Sequence, residues 1–272
     1  LEKFRRTDIY GVQNLSMNEK PDFAKIPVFA RKNARTEDAE RIADEIDGMV
    51  VFDAEEAETV EIGLLFDETG LSLVGGGQRM QGDFSKLIRR LKKDNLNGEI
   101  VVKAAKIKGN ATGLTVLDAT AGMGEDSLLL AAAGFTVDLY EYDPIIAVLI
   151  EDTLCRASVV PELTEIVGRM RLHKADSIDA MRNLTVSPDV ILLDPMFPER
   201  QKSALVKKKF QLIHRLEKPC ADEDELLNAA IYAHPQKIII KRPAKAPCLA
   251  GKKPSYTLNG KSIRYDCIVL SK

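Results

Sequence analysis

The chain has 272 residues, 45% of them hydrophobic and 29% charged, with a formal net charge of −2. This is the balance of an ordinary globular protein with ample apolar material for a core, and no apolar run approaches the ~20 residues that a membrane-spanning helix needs. The stretch Glu2 to Asp8 lacks an apolar segment, so no signal peptide is expected, and Cys155, Cys220, Cys248 and Cys267 form no C-x-x-C pair, which speaks against a metal site or disulfide framework and for a reducing cytoplasm.

In chain order, residues 1–35 read as polar and irregular, with a short apolar stretch at Ile26–Ala30. Thr36 caps a predicted amphipathic helix from Glu37 to Ile46, with Ala39, Ile42, Ala43 and Ile46 on one face. Met49–Phe52 reads as a strand. Thr59–Phe66 and Leu71–Val74 read as two strands joined at Asp67–Gly70, and Gly75-Gly76-Gly77 breaks the pattern. Asp83–Leu91 and Glu99–Lys106 read as helices. The expectation is a small mixed α/β subdomain over residues 1–110.

From Leu114 the rhythm becomes strand, helix, strand. Thr115–Asp118, Phe135–Glu141, Met170–Lys174, Asp189–Leu193 and Lys237–Lys241 are apolar strands. Glu125–Ala133, Pro144–Arg156 and Asp222–Ala233 are helices between them, with Gly134 as a stop signal and Pro144 in an allowed first turn. Asn259-Gly260 marks a hairpin near the end. Apolar strands alternating with helices predict a parallel sheet covered on both faces. Residues 111–272 are therefore expected to form a Rossmann-like domain, with a mostly parallel seven-stranded sheet and a C-terminal antiparallel hairpin.

The first of these strands runs into Asp118-Ala119-Thr120-Ala121-Gly122-Met123-Gly124-Glu125-Asp126. Gly122 and Gly124 let backbone approach a ligand closely, and the helix that follows offers unpaired N–H groups. The dinucleotide fingerprint is nevertheless broken, because Ser127 stands where a third small glycine-like residue belongs. Glu125 and Asp126 would also repel a pyrophosphate. They suit a ligand that carries a sulfonium and an ammonium, which describes S-adenosylmethionine (SAM). Glu141, at the end of the second strand, is placed to accept both ribose hydroxyls. Asp176-Ser177, after the third strand, can accept the adenine amino group or simply cap a helix. Asp194 ends the fourth. Four acids in order at strand ends, where such sheets bind ligands, predict SAM as the cofactor, with S-adenosylhomocysteine as product.

Asp194-Pro195-Met196-Phe197 is similar to the [D/N]-P-P-[F/Y/W] signature of methyltransferases acting on planar amino groups. Such a nitrogen is a poor nucleophile because its lone pair is delocalised. A carboxylate (Asp194) and a backbone carbonyl in a rigid Pro195 turn accept its two hydrogens and aim the lone pair, while Phe197 stacks on the base. No strong base is required, which agrees with the isolated positions of His173, His214 and His234.

The longer run Asp194-Pro195-Met196-Phe197-Pro198-Glu199-Arg200-Gln201-Lys202-Ser203-Ala204-Leu205-Val206-Lys207-Lys208 resembles the RsmJ family of 16S ribosomal RNA guanine-N2 methyltransferases. Asp118–Asp126, Val102–Lys108 and Lys241-Arg242-Pro243 add to the likeness. The resemblance implies a class I SAM methyltransferase fold and SAM contacts at Glu125, Asp126, Glu141, Tyr142, Asp176, Ser177 and Asp194. It also implies a cytoplasmic enzyme whose partner is 16S ribosomal RNA or the small ribosomal subunit, with neither metal nor membrane.

Charge patterning adds an RNA contact. Seven basic residues lie between Glu199 and Lys218, and nine between Pro235 and Lys272 against the single acid Asp266. Lys202, Lys207, Lys208, Lys241 and Arg242, followed by Lys245, Lys252 and Lys253, are expected on the rim that holds the site, where they would meet phosphates. Two other readings stay open. One is an amino methyltransferase for DNA bases or a protein amide; the other is an inactive SAM-fold RNA-binding protein.

Overall fold

Strand-and-helix alternation begins earlier than the sequence pattern indicates. Pro27–Ala30 (β1) is a strand with every residue buried, so it carries no polar–apolar alternation by which to recognise it. The computed structural model describes residues 25–31, 36–195, 212, 216 and 223–270. They divide into two compact units between Gly82 and Asp83, with Leu212 in the first.

In the first unit, β1 leads through the helix Thr36–Glu45 (α1) to Met49–Val51 (β2). Strand β1 pairs parallel with both β2 and Gly63–Asp67 (β3). Gly70–Gly75 (β4) returns antiparallel to β3, and Gln78–Met80 (β5) antiparallel to β4. The order is β2-β1-β3-β4-β5. Gly76 and Gly77 both have positive φ, so the triple glycine is a hairpin turn into a strand that the pattern did not predict. Ala39, Ile42 and Ala43 of α1 are buried, as its spacing requires. Arg79 closes the hairpin by donating to both carboxylate oxygens of the buried Asp67, at 2.8 and 3.2 Å.

The second unit starts before the expected boundary at residue 110. Phe84–Leu87 is a 3₁₀ turn capped by Asp83, and it continues into Ile88–Leu91 (α2). Lys93–Leu96 (α3) and Ile100–Ala105 (α4) follow. Val101, Val102, Ala104 and Ala105 are buried. The end of α4 is held from the sheet: Lys237 Nζ donates to Ala104 O at 2.9 Å and to Lys106 O at 2.6 Å, satisfying carbonyls that a helix terminus leaves without partners.

Then come Thr115–Asp118 (β6), Glu125–Ala132 (α5), Thr136–Tyr140 (β7), Pro144–Ser158 (α6), Pro161–Val167 (α7), Met170–His173 (β8), Ser177–Arg182 (α8) and Val190–Leu193 (β9). Glu223–Tyr232 (α9), Lys237–Pro243 (β10), Tyr256–Asn259 (β11) and Ile263–Val269 (β12) complete it. Among the described residues seven strands pair in the order β11-β12-β10-β9-β6-β7-β8. The strands are parallel except β12, which lies antiparallel between β10 and β11. This is the expected mostly parallel sheet closed by an antiparallel hairpin.

Helices α5 and α6 are apolar nearly all round, with Leu128, Leu129 and Leu130 in one and Ile145 to Ile150 in the other fully buried or close to it. Each such side chain contributes about 1.5–3 kcal/mol by leaving water. Gly134, at φ +105°, ends α5, and the Asp143 carboxylate caps α6 by accepting from the N–H of Ile145 and of Ile146. Strand order reverses between β6 and β9. In open sheets of this kind, ligands bind outside the carboxyl ends of the strands at such a reversal.

Candidate active site

The loop after β6 is built from inside. Asp118 ends the strand at 2% exposure. It accepts from Ser127 Oγ at 2.6 Å and from the Thr120 N–H at 3.1 Å. Asp118 therefore serves the loop's own framework, and Ser127 has a positive role that a reading against the dinucleotide fingerprint does not reveal. Gly122 and Gly124 have φ +52° and +73°, a region open to glycine and strained for other residues. A Cβ on Gly122 would meet nothing within 4 Å, so the loop leaves open space there; on Gly124 it would press Phe84 at 3.3 Å.

Glu141 fastens the second strand end to this loop. Its Oε2 accepts the Gly122 N–H at 3.2 Å and its Oε1 the Asp143 N–H at 2.9 Å. A carboxylate has about four lone-pair sites, so two hydroxyls of a ribose can still be accepted. Tyr142 follows at 58% exposure. Asp176 caps α8, taking the N–H of Ile178 at 2.7 Å and of Asp179 at 3.3 Å, with Ser177 as the first helical residue. The capping role is thus realised, and it leaves the second carboxylate oxygen of Asp176 for a ligand. Glu125 is exposed at the start of α5.

Asp194 follows β9, and its N–H donates to Thr120 Oγ1 at 2.6 Å, tying the fourth strand's exit to the glycine loop. Register places Lys241 beside it, because Leu193 pairs with Ile240 one residue earlier. Lys241 Nζ lies 2.9 Å from Asp194 Oδ2 and 2.9 Å from Asp126 Oδ2. Tyr265, buried on β12 opposite Lys241, donates its hydroxyl to the same Asp126 oxygen at 3.1 Å. Tyr265 is a site residue that motif reading missed, and Lys241, expected on the RNA-facing rim, instead joins the acidic site. The available signal was topological: Lys241 stands on the strand next to Asp194.

The basic rim needs correction at two positions. Lys241 is committed to two carboxylates. The Arg242 side chain is 0% exposed and donates to Pro247 O at 3.0 Å and Glu223 Oε1 at 3.2 Å, so no phosphate can reach it. Lys252 and Lys253 lead into β11, which runs in the same direction as β10. Both are exposed. Lys245, just beyond β10, and Lys261, in the turn between β11 and β12, are exposed on the carboxyl side. Pro195 is buried; Met196, Phe197, Lys202, Lys207 and Lys208 lie outside the described residues.

Arg242→Ala is expected to cost stability, by about 3 kcal/mol or more, because it strands a partly buried carboxylate and empties a filled position. Urea unfolding measures this. A variant as stable as the wild type but weaker for RNA would return Arg242 to the RNA surface.

The electrostatics are those of a partly buried, acid-rich site. Burial pushes Asp118 up to about 7, opposed by the hydrogen bonds from Ser127 and Thr120. Burial likewise pushes Glu141 up to about 7, with the Asp143 and Gly122 N–H groups opposing and the charges of Asp143 and Asp118 adding. Burial also raises Asp194, against the pull of Lys241. A ligand bearing a sulfonium and an ammonium offsets this repulsion and favours the ionised acids. Its affinity should therefore tighten as pH rises from about 6 to 8, with protons released on binding. Calorimetry in buffers of different ionisation enthalpy reads this directly. A pH-independent affinity without proton release would mean that neither acid titrates on binding.

A family profile described as "Putative SAM-dependent methyltransferase" matches residues 51–270. The chain is 41% identical over 260 residues to ribosomal RNA small subunit methyltransferase J of Pseudomonas fluorescens, covering 92% of this chain and 96% of that protein. It is 40% identical over 215 residues to the protein of the same name from Hahella chejuensis, covering 77% and 81%. The crystal structure of a SAM-dependent methyltransferase from Neisseria gonorrhoeae superposes with a TM-score of 0.71 at 29% identity, covering 89% of this chain and 95% of that one.

Proposed function

The chain belongs to the family of ribosomal RNA small subunit methyltransferase J, a SAM-dependent methyltransferase family, and from that premise we propose that it methylates the exocyclic N2 amino group of a guanine in 16S ribosomal RNA. The observation that carries this reading is the position of Asp194. It ends β9 beside the glycine loop, bound to it through Thr120, with its carboxylate held by Lys241. An acceptor amino group at Asp194 would stand next to a donor cradled by Gly122, Asp126 and Glu141.

SAM supplies a methyl group on a positively charged sulfur. The protein's own residues supply position. The Asp194 carboxylate accepts one N–H of the amino group, and a backbone carbonyl of the turn at Pro195 accepts the other. This draws the nitrogen out of conjugation with the ring and points its lone pair at the methyl carbon. Bound SAM would supply the methyl group to that nitrogen and would leave as S-adenosylhomocysteine. The methylated nitrogen, now strongly acidic, gives up a proton, and the Asp194 carboxylate is placed to receive it. The target guanine must be unpaired or extruded to enter such a site.

Phosphate contacts are assigned to Lys202, Lys207 and Lys208, whose place in the chain just after the acceptor turn supports this role, and to the exposed Lys245 and Lys261. The deciding experiment is mass mapping of modified nucleosides in 16S ribosomal RNA from cells with and without the protein. One N2-methylguanosine should vanish and return on complementation. An unchanged guanine profile with loss of another methylated base would replace the acceptor.

A further inference from the structure

We propose that Lys241 is a positioning residue of methyl transfer: its ammonium, shared between Asp126 and Asp194, fixes the Asp194 carboxylate in the ionised, correctly turned state that accepts the amino group. The inference rests on the assignment of Asp194 as the acceptor-binding acid.

Three elements converge on Lys241 Nζ. Strand β10 brings the lysine to the carboxyl edge next to Asp194, the first turn of α5 brings Asp126, and β12 brings Tyr265. The two Nζ–Oδ2 distances are equal at 2.9 Å, and the Tyr265 hydroxyl steadies Asp126 from the other side at 3.1 Å. Lys241 is itself only 26% exposed at the side chain. So enclosed a lysine is costly to desolvate, and its setting between two acids explains why it is kept charged.

Among the described residues, the charged and titratable groups facing Asp194 include Asp118 on β6, Asp126 on α5, Lys241 and Arg242 on β10, and Tyr265 on β12. Arg242 is turned into its pair with Glu223. Among the described residues, Lys241 is thus the cation in hydrogen-bond contact with the Asp194 carboxylate. Burial pushes that carboxyl upward and the Asp126 charge adds to the push, while Lys241 opposes both. With that opposition removed, burial and the Asp126 charge favour the protonated form of Asp194. A protonated Asp194 has one acceptor oxygen fewer and can point its own O–H at the amino nitrogen, tying up the lone pair that must attack.

An ammonium between two acids also has a consequence for the donor. The ammonium of a bound donor's amino-acid end would compete for Asp126, and an Asp126 so engaged would release Lys241 to Asp194 alone. Donor binding would then strengthen the hold on Asp194 at the moment the acceptor arrives.

The test compares the wild type with K241M and K241R by single-turnover methyl transfer at saturating SAM across pH, and by a 13C-carboxyl NMR titration of Asp194 with S-adenosylhomocysteine bound and no RNA. K241M should lose about 10- to 50-fold in rate near pH 7 and recover at higher pH, its acid limb moved up by roughly a pH unit or more, and K241R should keep the wild-type limb and most of the rate. The Asp194 carboxyl midpoint should rise in K241M and stay in K241R. If K241M does not fold, K241Q carries the same measurements. A uniform loss of rate with an unmoved limb, or an unmoved Asp194 midpoint, overturns the proposal. So does a loss confined to donor affinity, which would make Lys241 a donor-site residue. A wild type that transfers no methyl to RNA counts against the substrate assignment, and the NMR titration, which needs no RNA, still decides for or against Lys241.

Discussion

Asp194→Asn should fold, bind SAM within a few-fold of the wild type and lose about 10²- to 10³-fold in single-turnover methyl transfer. The size of the effect follows from what the carboxylate does. It accepts a hydrogen from a nitrogen that becomes more positive as the C–N bond forms, so the interaction strengthens toward the transition state and weighs on rate more than on binding. Asparagine keeps the volume and one acceptor oxygen but offers an N–H₂ group where a second acceptor stood. The N–H of residue 194 still donates to Thr120 Oγ1, a backbone contact unaffected by the change. Lys241 still has Asp126. Loss of transfer with donor affinity retained is therefore the expected split. An equal loss of SAM affinity would place Asp194 in the donor site instead, and full turnover would remove it from the chemistry.

The second unit was legible because its strands sit between helices in a repeating order, and each has a run of apolar residues long enough to be seen. Ile238-Ile239-Ile240 of β10 and Val190 to Leu193 of β9 are cases where burial on both faces itself marks the strand. The first unit was less legible for the opposite reason. Strand β1 has four buried residues and begins with proline, and β5 has three residues; neither is long enough to show a period. Helices α2 and α4 were readable as helices and α3 was not; none was readable as a member of the second unit, since what holds α4 there is the reach of Lys237 to its end from a strand far along the chain.

The same division runs through the site. Acids at strand ends are visible because strand ends are visible. What each acid does depends on partners that register and loop path select. Asp118 and Glu141 both end strands before a turn, yet Asp118 is enclosed by Ser127 and Thr120 and Glu141 spans Gly122 and Asp143. Lys241 and Arg242 are adjacent basic residues that composition cannot separate. Strand alternation turns one toward Asp194 and the other toward Glu223, so that neither presents a free charge to RNA. A count of positive charge in sequence thus overstates the rim at Lys241 and Arg242.

Glu141→Ala should weaken SAM and S-adenosylhomocysteine binding by about 30- to 100-fold, equivalent to about 2–3 kcal/mol, with the methyl-transfer rate at saturating SAM far less affected. The change removes the acceptor for two ribose hydroxyls, and it also takes the partner from the Gly122 and Asp143 N–H groups, so the loop that cradles the donor loosens. Glu141→Gln separates these causes. It keeps one acceptor oxygen and most of the volume but cannot ionise, so affinity should fall by only about tenfold and the part of the pH dependence due to this residue should disappear. Stability moves the other way. The folded, ligand-free protein raises Glu141 to about 7 from 4.5, so it binds that proton more tightly than the unfolded chain does. The resulting stabilisation is fully present below about pH 4.5 and is lost as pH rises through about 7. Glu141→Gln, which needs no proton to be neutral, should therefore be no less stable than the wild type at pH 8 when the site is free of donor, and less able to gain stability when donor is added. Calorimetry with S-adenosylhomocysteine and thermal unfolding with and without it measure both. Unchanged donor affinity in either variant would take the ribose contact away from Glu141, while a loss of stability without donor would show that its hydrogen bonds to the loop outweigh the cost of burying its charge.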